Sequence, residues 1–242
     1  MNHLLEITGL SKTFRIHRLK KNIHACENVN LSIAAGEFVG ITGKSGSGKS
    51  TILKMAYRTY FPEKGSILYD SSEFGLVDMM KITERQVIHL RRCEIGYVSQ
   101  FLSVVPRLSA LQIVENSARE TGVSIKNARE EAMKMLRHFE LDKALWDTYP
   151  QTFSGGEKLR LNIAKAMIKA PRLLLLDEPT ASLDNHSKKK VAELLLRLKE
   201  SGTTILGIFH DLEFMEGLCD KEFNMDTGTF TNTSIEKDLH AC

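Results

Sequence analysis

Residues 43–50, Gly-Lys-Ser-Gly-Ser-Gly-Lys-Ser, have a composition and spacing that can bind a polyphosphate. The glycines let the backbone pass close to phosphate oxygens without a clash from Cβ atoms. Backbone N–H groups and the positive end of a following helix would bind those oxygens. Lys49 would add a positive charge for the β- and γ-phosphates, and the Ser50 hydroxyl would ligate Mg²⁺. The pattern G-x-x-x-x-G-K-[ST] therefore predicts a nucleoside triphosphate site.

A pair of carboxylates, Asp177 and Glu178, follows a run of four leucines. Because side chains alternate along a strand, we expect the two to point in different directions. Asp177 would face the Mg²⁺ shell, and Glu178 would face the attacking water as general base or water-orienting group. Asp-Glu-Pro-Thr is also typical of a helix start, but a phosphate loop in the same chain favours the catalytic interpretation.

A third motif is Phe-Ser-Gly-Gly-Glu at residues 153–157, before a helix predicted from Lys158 to Lys169. Ser154 and the glycine N–H groups at a helix N-terminus can form an anion site. Ser154 followed by Glu157 also fits a capping box, in which each residue binds the other's backbone N–H. The two interpretations are compatible.

Short apolar strands alternate with helical segments, which indicates an α/β fold with a largely parallel sheet. A strand before the phosphate loop and a helix after it, from Ser50 to about Tyr60, are the context that motif requires. From about residue 110 to 170 the pattern is helical with almost no strand signal, as in the amphipathic stretch from Ser124 to Phe139. The predicted strands are 38–42, 66–69, 95–98, 172–176 and 203–209.

The composition excludes several classes of protein. The chain has 242 residues, a net charge of +3 and 42% hydrophobic residues, which excludes disorder. No stretch approaches the roughly 18 apolar residues of a membrane span, and the first residues lack the pattern of a secretory signal. Four scattered cysteines predict reduced thiols rather than a disulfide framework or a zinc site. We therefore expect a cytoplasmic protein, with a charge too mild to indicate nucleic acid binding.

The order of the motifs resembles that of the ATP-binding-cassette (ABC) ATPases, whose signature Leu-Ser-Gly-Gly-Gln lies between the phosphate loop and the acidic strand. Phe153 and Glu157 depart from that signature, outside its Ser-Gly-Gly core. The resemblance implies an α/β, P-loop nucleotide-binding domain with a RecA-like, mainly parallel core sheet, an antiparallel β part and an inserted helical subdomain. It implies a single ATP-binding domain over residues 1–242, with the core at 1–100 and 171–242 and the helical subdomain at about 101–170.

The resemblance also assigns roles to individual residues. Gln100 would contact the metal, His210 the γ-phosphate, and Asp184 the partner in a dimer, while Phe14 would stack on adenine. Residues 154–157 would bind the ATP held by the other subunit. The implied catalytic residues are Lys49, Glu178 and His210, and the implied metal ligands are Ser50, Gln100 and Asp177. The implied ATP-binding positions are Phe14, Gly43, Lys44, Ser45, Gly46, Ser47, Gly48, Lys49, Ser50, Thr51 and Gln100. The implied signature positions are Ser154, Gly155, Gly156 and Glu157.

Members of the family bind ATP and Mg²⁺ and act as head-to-tail dimers around two nucleotides. Residues 99–111, 152–157 and 207–211 are similar to those of the PhnL family, the ABC subunits of the bacterial carbon–phosphorus lyase system for phosphonate breakdown. This implies a second ABC subunit as partner, either another copy or a PhnK-like chain. It also implies contact with the core lyase subunits, and neither nucleic acid binding nor membrane insertion.

The sequence leaves one alternative open. ATPases of exporters of the lipoprotein-release and macrolide-export type have a similar apolar segment after the glutamine. Other classes are disfavoured: a GTPase because no Asn-Lys-x-Asp element occurs, a small-molecule kinase because of the motif order, and a non-hydrolysing regulatory module because the catalytic positions are all present.

Overall fold

The structure of the chain is a computed structural model. It describes residues 3–16, 21–99, 107–180, 183–209, 211–215 and 217–232. Two predicted site residues, Gln100 and His210, lie outside the described residues. The same holds for residues 181 and 182, for Cys242, and for the tail from Ser234 that the sequence predicts to be frayed.

A six-stranded sheet forms the centre of the molecule. Its strand order is β10-β9-β3-β8-β7-β6, and every neighbouring pair is parallel except β9 and β10. β3, β7 and β8 are buried along their whole length, as expected for parallel strands covered on both faces. The predicted parallel sheet is thus confirmed; its strands are β3 (Phe38–Thr42), β6 (Ile95–Val98), β7 (Leu173–Asp177), β8 (Thr204–Ile208), β9 (Lys221–Asn224) and β10 (Thr229–Asn232).

A second, antiparallel sheet has the order β2-β1-β4-β5. Its strands are β1 (His3–Ile16), β2 (Lys21–Ala34), β4 (Lys64–Ser71) and β5 (Gly75–Asp78). The residue pattern predicted only the centre of β4. The pairing of β1 with β2 shifts register several times, and these irregularities interrupt the alternation that would reveal two long strands.

The described part of the chain also contains seven α-helices and two short 3-10 helices (Lys143–Leu145 and Pro150–Thr152), and α3, α4 and α5 pack against one another. No helix in the described ranges is both long and apolar enough to cross a membrane. The helical subdomain boundaries stay a prediction, because residues 101–106 are not described. The helices are α1 (Lys49–Ala56), α2 (Glu84–Cys93), α3 (Ala110–Arg119), α4 (Ile125–His138), α5 (Gly155–Met167), α6 (Asn185–Glu200) and α7 (Leu212–Met215).

Two predicted helix boundaries were wrong, each for a local reason. α5 begins at Gly155, three residues earlier than expected, because the Ser154 side chain caps it. α1 ends at Ala56 rather than near Tyr60, because Arg58 adopts a φ of 64° that no right-handed helix permits. The predicted apolar stripe of α6 is confirmed: its buried residues are Val191, Leu194, Leu195 and Leu198.

A buried carboxylate joins the two sheets. Glu94, immediately before β6 and 3% exposed, accepts hydrogen bonds from the Ser71 hydroxyl at 2.8 Å and the Ser72 N–H at 3.1 Å. The Arg172 Nη1 lies 3.7 Å from Glu94 Oε2, the oxygen that also accepts from Ser72. Burial alone would raise the pKa of Glu94, but the hydrogen bonds from Ser71 and Ser72 outweigh it, so the pKa lies below its ordinary value. The antiparallel sheet is therefore fastened to the parallel one through an ionised group.

We predict that Glu94→Gln lowers the free energy of unfolding by about 2 kcal/mol at neutral pH, because charged hydrogen bonds are lost. Since the folded pKa is depressed, this stabilisation is present above the unfolded pKa and is lost as the pH falls through the folded value. Urea unfolding of both proteins should thus differ at pH 7 and converge in acid. The exposed neighbour Glu73 supplies the control, Glu73→Gln. Equal unfolding free energies of the Glu94 variant and the wild type at pH 7 would contradict this role.

Candidate functional site: a phosphate loop and an acidic strand end

The phosphate loop runs from the end of β3 to the start of α1, as predicted. Gly43, Gly46 and Gly48 have φ angles of 130°, 82° and 91°, in the region that only glycine adopts freely. Gly48 also has no room for a side chain, because a Cβ atom there would lie 1.9 Å from the Ala25 carbonyl oxygen of β2. The antiparallel sheet therefore presses directly against the loop and fixes its path.

Lys49, the first residue of α1, is 4% exposed. Its Nζ donates hydrogen bonds of 2.8 Å to the carbonyl oxygens of Gly43 and Lys44. Burial lowers the pKa of Lys49, while the nearby carboxylates of Glu178 and Asp226 act in the opposite direction. The ammonium group is thus held against the beginning of the loop that it is predicted to serve.

Ser50 and Asp177 meet at the carboxyl ends of the central strands. The Ser50 hydroxyl donates a 2.7 Å hydrogen bond to Asp177 Oδ1, which joins residues 127 positions apart. Both side chains offer oxygen ligands, the kind that Mg²⁺ prefers, so this donor set fits the predicted metal. The structure thereby brings together two of the three predicted metal ligands.

The other carboxylate oxygen of Asp177 has a partner that sequence reasoning missed. The Tyr97 hydroxyl donates a 2.6 Å hydrogen bond to Asp177 Oδ2. Burial, followed by this hydrogen bond, raises the pKa of Tyr97. In the sequence, the only indication of this contact is that Tyr97 is an aromatic residue within the short strand that precedes Gln100.

Glu178 departs from the expected strand geometry. β7 ends at Asp177, and Glu178 adopts a left-handed φ of 51°. A turn, and not the alternation of side chains along a strand, therefore sets the direction of Glu178. The prediction that Glu178 continues the strand was wrong. The position of Glu178 nevertheless fits a role at the phosphate loop, because Glu178 lines the same cavity as Lys49 and Ser50.

That cavity has a volume of about 250 Å³. None of the described residues of the signature segment contributes to its lining, and neither do Gly43, Lys44 and Ser47. Ile23 and Ala25 of β2 line it without having been predicted, since β2 itself was not recognised. The lining residues are Phe14, Ile23, Ala25, Ser45, Gly46, Gly48, Lys49, Ser50, Thr51 and Glu178.

Phe14 lines the cavity from β1, where it pairs with Ile23 of β2. Its ring meets Tyr60 edge-on, with 5.3 Å between centroids. The Lys12 Nζ lies 5.3 Å from the centre of the same ring. A partly exposed aromatic ring is thus held beside the loop, where an adenine could stack.

The signature segment lies at the start of α5 and contains the predicted capping box. Ser154 Oγ accepts from the Glu157 N–H at 3.3 Å, and Glu157 Oε2 accepts from the Ser154 N–H at 2.7 Å. Phe153, which departs from the family pattern, is buried in the helical core. A Cβ on Gly156 would lie 2.8 Å from Ser187 Oγ, so α5 and α6 approach closely.

Asp184 caps α6 beside this contact, with Oδ1 accepting from the Ser187 N–H at 2.8 Å. Its Oδ2 accepts from the Ser187 hydroxyl at 3.1 Å. The hydrogen bonds from the Ser187 N–H and hydroxyl lower the pKa of Asp184. The exposed Asp184 and the signature segment therefore belong to one neighbourhood, joined through Ser187 and separate from the lining of the phosphate-loop cavity.

Hydrogen bonds hold one chain neighbour of each predicted site residue that lies outside the described residues, Gln100 and His210. Asn162 of α5 donates from Nδ2 to the carbonyl oxygen of Ser99, at 3.1 Å, next to Gln100. Asp211, next to His210, accepts from Lys188 Nζ of α6 at 2.5 Å. The hydrogen bond from Lys188 is the main cause of the lowered pKa of Asp211. Neither anchor was predicted.

We predict that Lys49→Ala weakens ATP binding at least tenfold, because the buried charge at the loop is lost. Titration with a fluorescent ATP analogue measures the dissociation constant. Lys64→Ala, which removes the same charge from an exposed position in β4, should bind as the wild type does. Unchanged affinity of the Lys49 variant would refute the assignment of residues 43–50 as the phosphate loop.

Comparison with known proteins agrees with this geometry. Residues 26–181 match the family described as "ABC transporter". The chain is 32% identical over 216 residues to the lipoprotein-releasing system ATP-binding protein LolD of Buchnera aphidicola, covering 89% of this chain and 91% of that protein. It is 36% identical over 208 residues to a probable syringafactin export ATP-binding/permease protein of Pseudomonas syringae, but spans only 31% of that protein's length and 86% of its own.

The solved structure of the ATP-binding cassette MJ0796, a dimer in a post-hydrolysis state bound to ADP and Pi, superposes with a TM-score of 0.85 at 29% identity. The match covers 95% of this chain and 98% of that one. Fold, family and site geometry agree, and the chain therefore belongs to the ABC transporter family as an ATP-hydrolysing ATP-binding cassette.

Proposed function

We propose that this cassette hydrolyses MgATP within a head-to-tail dimer, each nucleotide lying between the phosphate loop of one chain and the signature segment of the other. The observation that carries the proposal is the hydrogen bond from Ser50 to Asp177, because Ser50 lines the same cavity as Lys49 and Glu178. Ser154 does not line that cavity, so its anion site is available to a nucleotide held by another chain. The dimeric state of MJ0796 supports the same arrangement.

Within this site each residue has a proposed task. The loop N–H groups and Lys49 bind the phosphates, and Ser50, Asp177 and Gln100 hold the metal. Bound magnesium would neutralise charge that develops on the β- and γ-phosphate oxygens. Glu178 accepts a proton from the attacking water or orients it, while His210 contacts the γ-phosphate.

Two features support Glu178 as the group that acts on water. It borders both the phosphate-loop cavity and a second cavity of about 550 Å³ that also contains Asp211, next to His210. Its left-handed φ of 51° also departs from the strand geometry that Asp177 follows. The two adjacent carboxylates therefore serve different places, which is what separate metal-binding and water-activating roles require.

For the process that this ATPase drives, we propose phosphonate breakdown in a carbon–phosphorus lyase system of the PhnL type. The support is the similarity of residues 99–111, 152–157 and 207–211 to that family. The partners would be a second ABC subunit, a further copy or a PhnK-like chain, together with core lyase subunits. ATP binding and hydrolysis would drive a conformational change in those subunits.

The second candidate is the ATPase of a membrane exporter. It is favoured by the relatives, since the names of LolD and of the syringafactin protein describe lipoprotein release and export. An exporter ATPase binds a helix of a membrane protein, whereas a lyase ATPase binds soluble subunits. The two candidates share the nucleotide chemistry and differ in the protein bound.

We predict that Glu178→Gln retains ATP affinity but hydrolyses ATP at least a hundredfold more slowly, because phosphate contacts remain while the carboxylate is lost. Single-turnover phosphate release and nucleotide titration measure the two quantities. Glu193→Gln, an exposed change on α6, is the matched control. Near-normal turnover of the Glu178 variant would remove this residue from catalysis.

We predict that a host lacking this gene grows on phosphate but not on methylphosphonate as the sole phosphorus source. The wild-type gene should restore growth, and Lys49→Ala should not. Affinity purification of Glu178→Gln from phosphonate-grown cells should recover lyase subunits. Normal growth of the deletion strain on methylphosphonate, or recovery of a permease without lyase subunits, would contradict the lyase proposal and favour the exporter.

A further inference from the structure

We propose that Tyr97 is a positioning residue for the metal site, acting through Asp177. The inference rests on the proposed role of Asp177 in holding magnesium, and extends it to a residue that touches neither nucleotide nor metal. Its basis is the 2.6 Å hydrogen bond from the Tyr97 hydroxyl to Asp177 Oδ2.

The sheet register places the tyrosine where it can reach this oxygen. β6 and β7 are parallel neighbours, and Tyr97 lies opposite Leu175, two residues before Asp177. Residues two apart on a strand project from the same face of a sheet. The long side chain of Tyr97 therefore extends along that face and meets Asp177 at the strand end.

The tyrosine ring is itself held from the other side. Its centroid lies 5.0 Å from that of Tyr57, which caps the end of α1. Arg91 of α2 stacks on Tyr57 at 4.6 Å and donates from Nε to its carbonyl oxygen at 2.9 Å. The hydroxyl that meets Asp177 is thus fixed by packing against α1 and α2 rather than by the metal site alone.

As a result, each oxygen of the carboxylate has its own donor. Ser50 donates to Oδ1 and Tyr97 donates to Oδ2, so rotation of the carboxylate would break both hydrogen bonds. Oδ1 is thereby kept on the side of the phosphate loop. Groups that orient a metal ligand in this way commonly change metal affinity by about 10–100-fold when they are removed.

The test is Tyr97→Phe, which removes only the hydroxyl. Mn²⁺ serves as the probe, titrated into the protein with saturating ADP and followed by the electron paramagnetic resonance of free Mn²⁺. We expect Mn²⁺ to bind about tenfold more weakly, with metal-free ADP affinity in EDTA unchanged. Tyr57→Phe, which removes a hydroxyl from the neighbouring ring and leaves the Tyr97 hydrogen bond in place, should behave as the wild type.

The variant Asp177→Asn distinguishes failure of the proposed metal site from failure of the inference about Tyr97. If it weakens Mn²⁺ binding and Tyr97→Phe does not, the inference about Tyr97 is overturned while the metal site stands. If Asp177→Asn leaves Mn²⁺ binding unchanged, the proposed metal site falls and the inference with it. Tighter Mn²⁺ binding in Tyr97→Phe, or an equal loss in Tyr57→Phe, would also overturn the positioning role.

Discussion

The hydrogen bond between Ser50 and Asp177 is the contact on which the site depends. It joins the first turn of α1 to the end of β7, although β3, which leads into α1, is not a neighbour of β7. β8 lies between them, and all three strands are parallel. Their carboxyl ends therefore share one edge of the sheet, where open α/β folds bind ligands. This strand order lets a serine and an aspartate far apart in sequence meet at one edge of the sheet.

The antiparallel sheet helps to shape the phosphate loop and its cavity. It supplies the Ala25 carbonyl oxygen that permits only glycine at position 48, and it places Phe14 and Ile23 along the cavity. Glu94 fastens this sheet to the strand that carries Tyr97. The nucleotide cavity is thus shaped by both sheets, and the parallel sheet alone would not define the path of the loop.

Much of this could be predicted from local patterns. The phosphate loop, the acidic pair and the short apolar strands each have a signal within a few residues. The hydrogen bond from Tyr97 to Asp177 could not be predicted, because it depends on the register between β6 and β7, which no local pattern encodes. Ile23 was missed for a related reason, since bulges in the β1–β2 pairing disrupt the alternation by which strands are recognised. The expectation that Glu178 continues the strand was wrong, because β7 ends at Asp177 and Glu178 adopts a left-handed φ.

In the proposed head-to-tail dimer, one chain supplies only part of the residues around each nucleotide. The most direct measurement mixes two inactive variants, Lys49→Ala and Ser154→Arg, and follows ATP hydrolysis. In a head-to-tail dimer the mixed pair contains one site with an intact loop and an intact signature. We therefore expect the mixture to regain activity that neither variant shows alone, with the gain rising with protein concentration. No recovery on mixing, together with full activity of Ser154→Arg by itself, would contradict the shared site.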